Sequence, residues 1–400
     1  MRCVVLMMSL ALAAASARAE VVSAGPADDV EGLIGGLQAG DELVLADGVY
    51  TLDERFLVSL TGTAESPIII RAADGARPHF MRPEDNQNIW DIEGEHLVIR
   101  GIEFSGGSAG LRFMTASFIT IEDCEIHDTG DVALRANDSG TYDSFRILRN
   151  NIHHTNNTGE GMYLGCNNDD GCRLANSLIE GNYVHHTNQA SVTQGDGIEI
   201  KEGGYGNVIR DNVIHDTKYP CLLTYSAVGN GSPNIIEGNV MWNCGDHAIQ
   251  TAADAVIRNN VILGSGSNGI AMQPHQSGDP TNLMVVHNTV VHPQNDAIRV
   301  SGAVGEIVIA NNAVFAPNGR AISVAGDGPF TVVGNVGSGE LVGVADGLAA
   351  GDLSTDVVDA DLSGAPPMNV FPAAGGALVG AGDPRFVTEV DFNGTARNGS

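Results

Sequence analysis

The chain holds only two lysines, Lys201 and Lys218, and uses arginine for the rest of its positive charge. Lysine can release its proton at accessible cost and arginine essentially cannot, so a lysine kept inside a patterned segment marks a place where a base is wanted. Lys201 ends the run Asp196-Gly197-Ile198-Glu199-Ile200-Lys201, and related runs recur on both sides of it. They read Gly110-Leu111-Arg112, Ala133-Leu134-Arg135, Gly161-Met162-Tyr163-Leu164, Cys221-Leu222-Leu223-Thr224-Tyr225, Ala248-Ile249-Gln250, Gly269-Ile270-Ala271-Met272-Gln273 and Ala297-Ile298-Arg299. Apolar residues at alternate positions turn inward, so the residues between them turn outward. Stacked coil on coil, they expose one strip: Arg112, Arg135, Tyr163, Glu199 with Lys201, Leu223 with Tyr225, Gln250, Gln273 and Arg299. Glu160, Asp196, His247 and Asp296 stand at the turn before it.

Such a strip suits proton abstraction beside a carboxylate, as at C5 of a uronic acid, with expulsion of the O4 leaving group. Lys201 is the candidate base, and Arg135 and Arg112 would bind sugar carboxylates. Tyr163 or Tyr225 would donate to the leaving oxygen, with His247 as a rival. Fixed donors near the developing enolate lower the barrier, and a positioned base adds about 10²–10⁴-fold. The catalytic set is therefore Lys201, Arg135, Tyr163 and Tyr225, and the substrate-binding set is Arg112, His247, Gln250, Gln273, His275 and Arg299. Glu199 lies two residues from Lys201 on the same side, and a carboxylate beside a lysine favours the ammonium, which opposes its use as a base. Ca²⁺ held by Glu160, Asp196 and Glu199, all hard oxygen donors, would remove that opposition and bind the substrate carboxylate. The plainer reading is an acidic cluster paired with Lys201 and the arginines, on a strip of solvated side chains and sugar-stacking tyrosines. His153, His154, His185 and His186 recur after asparagine corners and read as coil-turn residues, not metal ligands.

The elements that must carry this strip are short strands. Val208-Ile209-Arg210-Asp211-Asn212-Val213 returns as Ile235-Ile236-Glu237-Gly238-Asn239-Val240 and as Val256-Ile257-Arg258-Asn259-Asn260-Val261. Further copies end at Asn151, Asn182, Thr289, Asn312 and Asn335, and Cys124 fills the slot in an early one, with steps of 21 to 31 residues. Repeats of this length, β-branched and without helices between them, predict an all-β, single-stranded right-handed parallel β-helix. An asparagine at one corner of every coil can bond to the asparagine above and below it, and glycine before it tolerates a left-handed backbone. Residues 27–40, with Val30, Leu33, Ile34 and Leu37 on one side, predict an amphipathic helix capping the first coil's edge. The organisation expected is a signal peptide over 1–19, the cap and first coils over 20–90, the β-helix over 91–340 and an irregular tail over 341–400.

Composition bounds the function. Arg2, the apolar stretch from Cys3 to Ala15 and the small-residue site Ala17-Arg18-Ala19 form a secretory leader cleaved before Glu20. No later segment is apolar enough to enter a membrane, so a secreted protein, periplasmic or extracellular and monomeric, is expected. A net charge of −29 argues against nucleic acid and anionic membranes as partners. It leaves an acidic polysaccharide dependent on the local positive strip. Cys166 and Cys172 are expected to form a loop disulfide, Cys221 and Cys244 to pair or merely stack, and Cys124 to lie in the core.

Two stretches carry a family resemblance. Ala39-Gly40-Asp41-Glu42-Leu43-Val44-Leu45-Ala46-Asp47-Gly48-Val49-Tyr50 and Gly62-Thr63-Ala64-Glu65-Ser66-Pro67-Ile68-Ile69-Ile70 resemble the opening of the alginate lyase/chondroitinase B family. Asp196-Gly197-Ile198-Glu199-Ile200-Lys201 followed by Gly206-Asn207-Val208-Ile209-Arg210 is similar to the calcium-site coil of the family 9 pectate lyases, and the resemblance implies a calcium ligand at Asp196. The next coil departs from both families: Thr217-Lys218-Tyr219-Pro220-Cys221 has no carboxylate, and Leu223 and Tyr225 stand where the alginate lyases have an arginine. The function expected is a polysaccharide lyase. A uronan C5-epimerase, a hydrolase and a non-catalytic carbohydrate-binding β-helix are the alternatives.

Overall fold

A computed structural model of the chain describes residues 19–167, 171–276, 278–359 and 369–397. The expected leader lies, apart from Ala19, outside these residues. Thirty-four short strands join in one hydrogen-bonded network, and each coil pairs in parallel with the coils before and after it. Each coil advances the stack by about 4.8 Å. Three strands per coil give three faces. The first holds Leu134–Ala136, Met162–Leu164, Ile198–Ile200, Leu222–Thr224 and Ile249–Thr251. The second runs through Leu178–Glu180, Val208–Arg210 and Asn234–Glu237. The third runs through Asn151–His153, Tyr183–Thr187, Val213–Thr217 and Val240–Cys244.

Alternation decides what fills the interior. Ile198, Ile200, Leu222, Ile249, Ile270, Met272 and Ile298 are fully buried and stack along the axis. The aromatic residues gather near the N-terminal end, where Tyr50, Phe56, Phe80, Trp90 and Phe104 form a contiguous ring cluster.

The asparagine corner is a ladder of eight residues: Asn150, Asn182, Asn212, Asn239, Asn260, Asn288, Asn312 and Asn335. From Asn182 onward each Oδ1 accepts from the Nδ2 of the previous coil at 2.9–3.0 Å. Two expected positions, Asn151 and Thr289, are corrected by one residue to Asn150 and Asn288. The slot follows a left-handed residue, and that residue is Arg149 (φ 53°) in one coil and His287 (φ 56°) in the other, types that do not announce the conformation. Cys124 does occupy the earlier slot: its backbone N–H donates to Asn150 Oδ1 at 3.0 Å. A second, shorter ladder, in which Asn207 bonds Asn234 at 3.0 Å, marks the preceding corner.

The capping helix spans Val30–Gly36, shorter than the 27–40 expected, and buries Val30 and Ile34. At the other end strand Leu348–Ala350 pairs with Asn335–Val342. Beyond it Val357, Val370 and Leu378 pack on Val261, Leu263, Val291 and Phe315 of the third face. The described tail is pinned there by polar bonds as well: Asn259 donates to the Val390 carbonyl at 3.1 Å and Arg397 to Asn259 Oδ1 at 3.0 Å. Disulfides join Cys166 to Cys172 and Cys221 to Cys244, and Cys124 is free and buried.

Candidate active site

The first face carries two outward rows. Register places Arg112, Arg135, Tyr163, Glu199, Leu223, Gln250, Ala271 and Arg299 in one row. Lys201, Tyr225, Ala252 and Gln273 lie in the next row, just past the strand ends. The single strip expected from the sequence is thus a pair of rows, and Gln273 belongs with Lys201. Gly165 precedes Lys201 in its row at φ 112°; a Cβ there would come within 2.9 Å of Lys201 Cβ, so the glycine leaves room for the lysine. The corner before these strands stacks Glu160, Asp196, Pro220, His247, Asn268 and Asp296.

A groove runs over this face, lined by Arg135, Glu160, Tyr163, Asp196, Glu199, Lys201, Tyr225, Gln250, Gln273 and His275. Its floor is drier than a solvated strip. Lys201 is 5% exposed, Glu160 3%, Asp196 5% and Glu199 4%. Lys201 Nζ donates to Glu199 Oε1 at 2.6 Å and to the Tyr225 hydroxyl at 3.0 Å. The ammonium sits 4.5 Å from the Tyr163 ring centre and 4.6 Å from that of Tyr225, so two aromatic faces enclose it. The Tyr225 hydroxyl donates in turn to Glu199 Oε1 at 3.1 Å. Burial first, and then the charge of Glu199, raise the hydroxyl pKa of both Tyr163 and Tyr225, so each keeps its proton at neutral pH. His275 stacks edge-on against Tyr225 at 4.4 Å, and burial, with Lys201 second, lowers its pKa and keeps it neutral.

Glu160, Asp196 and Glu199 bring one oxygen each to within 4.8 Å of one another. Glu160 Oε2 and Asp196 Oδ1 are buried without a hydrogen-bond partner among the described residues. Burial, then Glu199 and then Glu160, hold Asp196 well above the usual carboxylate range. Glu160 is also raised, by burial first and by Glu199. Unpaired buried carboxylate oxygens are costly, and these two, together with the Glu199 carboxylate, fit a hard divalent cation such as Ca²⁺.

Several expected residues are placed elsewhere or already engaged. His247 does not line the groove: its Nδ1 accepts from the Asn268 backbone N–H at 3.2 Å and the ring is buried in the corner, its pKa lowered chiefly by burial. Arg112 is one coil beyond Arg135 and pairs with Asp138 at 2.8 Å. Arg135 lines the groove but shares its guanidinium with Asp131 at 3.2 Å and Asn137 at 3.0 Å. Arg299 is exposed four coils past Glu199, about 19 Å along the axis. Sequence reasoning missed Thr158, Asn167, Gln194, Tyr219, Asp246 and Gln276, which also line the groove. They come from turns of unequal length, outside the periodic pattern. Only Lys218 gave a signal: its ammonium donates to the Val192 carbonyl and ties down the turn that carries Gln194.

Comparison with known proteins agrees with this architecture. The right handed beta helix region family matches residues 175–314. The chain is a right-handed parallel β-helix. The chondroitinase B family matches the β-helix over residues 25–128, and the periplasmic copper-binding protein (NosD) family over 81–230. A mannuronic acid specific polysaccharide family 6 lyase from human gut microbiota superposes with TM-score 0.55 at 16% identity, covering 82% of this chain and 84% of its own. A PL6 family polysaccharide lyase from Pseudopedobacter saltans gives 0.53 at 15% identity, with 82% and 86% covered. The mannuronan C-5 epimerase A-module of Azotobacter vinelandii gives 0.54 at 13% identity, with 80% and 93% covered. No protein of curated function matches the sequence. No helix among the described residues is long and apolar enough to cross a membrane.

Proposed function

We propose that this β-helix is a secreted lyase that cleaves a uronate-containing polysaccharide by β-elimination in the groove over Lys201. The observation that carries the reading is one constellation. A buried lysine is wedged between two tyrosine rings, its ammonium shared by Glu199 and the Tyr225 hydroxyl, beside two further carboxylates, Glu160 and Asp196, each with an unpaired oxygen. The solved relatives, named for mannuronate polymers, favour alginate as the first substrate to test. The two disulfides suit an oxidising compartment outside the cytoplasm.

The charge count in the groove supports a cation requirement. Four carboxylates, Glu160, Asp196, Glu199 and Asp246, line it against two cations, Arg135 and Lys201. A bare groove therefore repels a polyuronate. Ca²⁺ on Glu160, Asp196 and Glu199 would bind the substrate carboxylate and acidify the adjacent C–H. With Glu199 committed to that ion, Lys201 loses its strongest acceptor and its amine becomes available as a base. The Lys201 amine then takes the C5 proton, the C5 electron pair forms the C4–C5 double bond, and the C4–O4 bond breaks. The Tyr225 hydroxyl stands 3.0 Å from Lys201 Nζ and is still protonated, so it is placed to give its proton to O4. Arg135, Gln250 and Gln273 lie along the groove to position flanking sugars.

The test is ultraviolet absorbance of the unsaturated product on alginate, pectate and glycosaminoglycans, with Ca²⁺ and with chelator. The expected result is calcium-dependent absorbance that Lys201→Ala lowers by about 10²–10⁴-fold. Reducing ends without absorbance would indicate hydrolysis. Exchange of C5–H with deuterated solvent without chain cleavage would instead establish the epimerase, which shares the proton abstraction. Full activity in Lys201→Ala would remove the base assignment.

A further inference from the structure

The third face carries a feature remote from the groove. His127, His153, His185, His215 and Trp242 stack as one column, with ring centres 5.0, 4.8, 5.3 and 4.2 Å apart. The next residue in each coil forms a second row: Asp128, His154, His186, Asp216 and Asn243, all with left-handed backbones. In this row His154 and His186 also stack, at 4.9 Å. The sequence suggested turn residues here, and the left-handed backbones of His154 and His186 agree; the stack also brings imidazole and carboxylate atoms together.

Three of them meet at one point. His186, His215 and Asp216 each offer an atom within 4.8 Å of the others. His215 Nδ1 lies 2.6 Å from Asp216 Oδ2, and His186 Nε2 lies 3.9 Å from the same oxygen. Donors bound to one ion at about 2.0–2.2 Å sit roughly 3–3.5 Å apart, so small rotations suffice to enclose a cation. The protons on these rings can be traced. Asn151 Nδ2 donates to Glu125, which turns its Oδ1, an acceptor only, toward His185 Nε2 at 3.2 Å. His185 Nε2 therefore carries its hydrogen, and His185 Nδ1 is a lone pair. That lone pair faces His186 Nδ1 at 2.6 Å, so His186 Nδ1 donates to it. The remaining lone pair of His186 is then on Nε2, on the side of Asp216. This is the outer-shell arrangement that orients a metal-bound imidazole, with one ring nitrogen tied to an acceptor and the other free to ligate. His215 differs: its Nδ1 donates to Asp216 Oδ2 at 2.6 Å while its Nε2 accepts from the Tyr183 hydroxyl at 2.8 Å, so an ion at Nδ1 would take the place of that proton and the Tyr183 oxygen would then accept from Nε2. The site opens to solvent, since the His186 side chain is 41% exposed and that of Asp216 24%. The other convergent group on this face, His79, Glu103 and His127, has its carboxylate paired with Arg77 at 3.2 Å and is less suited to a cation.

We propose that His186, His215 and Asp216 form a binding site for a borderline divalent transition metal of the Zn²⁺ or Cu²⁺ type, independent of the groove. Two imidazoles and one carboxylate match these ions and not Ca²⁺, which takes oxygen donors. Three protein ligands leave a further position for water or an external donor.

The experiment uses the whole mature protein without a histidine tag, stripped with chelator and then saturated with Ca²⁺ to fill the groove carboxylates. Zn²⁺ and Cu²⁺ are titrated by calorimetry, and the Cu²⁺ form is examined by electron paramagnetic resonance. The expected result is one ion per chain, bound at least tenfold more weakly by His186→Gln and by Asp216→Asn and equally well by the groove variant Asp196→Asn. The wild-type spectrum should show two coupled nitrogens, and that of His186→Gln one. No binding by the wild type, unchanged affinity in His186→Gln and Asp216→Asn, or a spectrum without coupled nitrogens would overturn the proposal. The wild-type stoichiometry and spectrum decide it even where a variant folds poorly. Loss of lyase activity alone would leave these readings untouched, so the two functions fail separately.

Discussion

Replacing Asp196 with asparagine, which exchanges an ionisable carboxyl for a neutral amide of the same shape, should make the calcium-free protein more stable. Asp196, Glu160 and Glu199 hold oxygens within 4.8 Å of one another and are almost fully buried. At that spacing each pair of ionised carboxylates repels by about 3 kcal/mol with an effective dielectric constant near 20. The wild type relieves part of this by holding protons, as the raised Asp196 and Glu160 show. The net gain from Asp196→Asn is therefore smaller than two full pairs, about 1–3 kcal/mol, which for a chain of 400 residues corresponds to a rise in Tm of roughly 1–4 °C. Calcium should reverse the order. At a hundredfold excess over its Kd, an ion that binds only the folded state adds about 2.7 kcal/mol. The wild type should gain this and the variant should not. Differential scanning calorimetry of both proteins, with chelator and with Ca²⁺, reads all four values. A lower Tm for calcium-free Asp196→Asn, together with an undiminished calcium shift, would refute the view that these three carboxylates form a strained cation site.

The pH dependence follows from the same groups. A carboxylate whose folded pKa is raised contributes stability below its ordinary range and loses it as pH rises through the folded value, so the chelated wild type should lose stability relative to Asp196→Asn between mildly acid and neutral pH. The calcium-induced shift in Tm should accordingly widen over that interval, and thermal melts across a pH series check both. Asn212→Ala removes a fully buried side chain that donates to Asn239 Oδ1 at 2.9 Å and to the Ile179 carbonyl at 3.0 Å and accepts from Asn182. With each orphaned partner costing about 1–3 kcal/mol, a loss of roughly 3–5 kcal/mol is expected in denaturant unfolding. Cys221→Ser with Cys244→Ser opens a link across 23 residues and should cost about 3 kcal/mol, read as a Tm difference that reducing agent abolishes.

The solenoid was legible because its cause is local and repeated. A coil such as Ile198–Ile200 cannot bury its own apolar side, so recurrence of alternating Ile and Leu with an asparagine corner leaves stacking as the outcome. The same logic put Glu199 and Lys201 on one coil and Glu160 and Asp196 at one corner, and the stack then brought the carboxylates together. The off-by-one positions at Asn151 and Thr289 show the limit of that legibility. Consecutive polar residues around a corner carry no local mark of which one turns inward, and the left-handed Arg149 and His287 decide it.

The sequence by itself determined the architecture, the face that bears the lysine and the pairing of Glu199 with Lys201, because all three follow from periodicity along one strand. Tertiary structure alone decided that Gln273 joins the Lys201 row, that Asn268 takes His247 and that Asp138 and Asp131 occupy Arg112 and Arg135. It also decided how deeply the lysine and its carboxylates sink and which atoms of His186, His215 and Asp216 meet. Those outcomes depend on turns of unequal length and on side-chain rotations between neighbouring coils, and neither leaves a period in the chain.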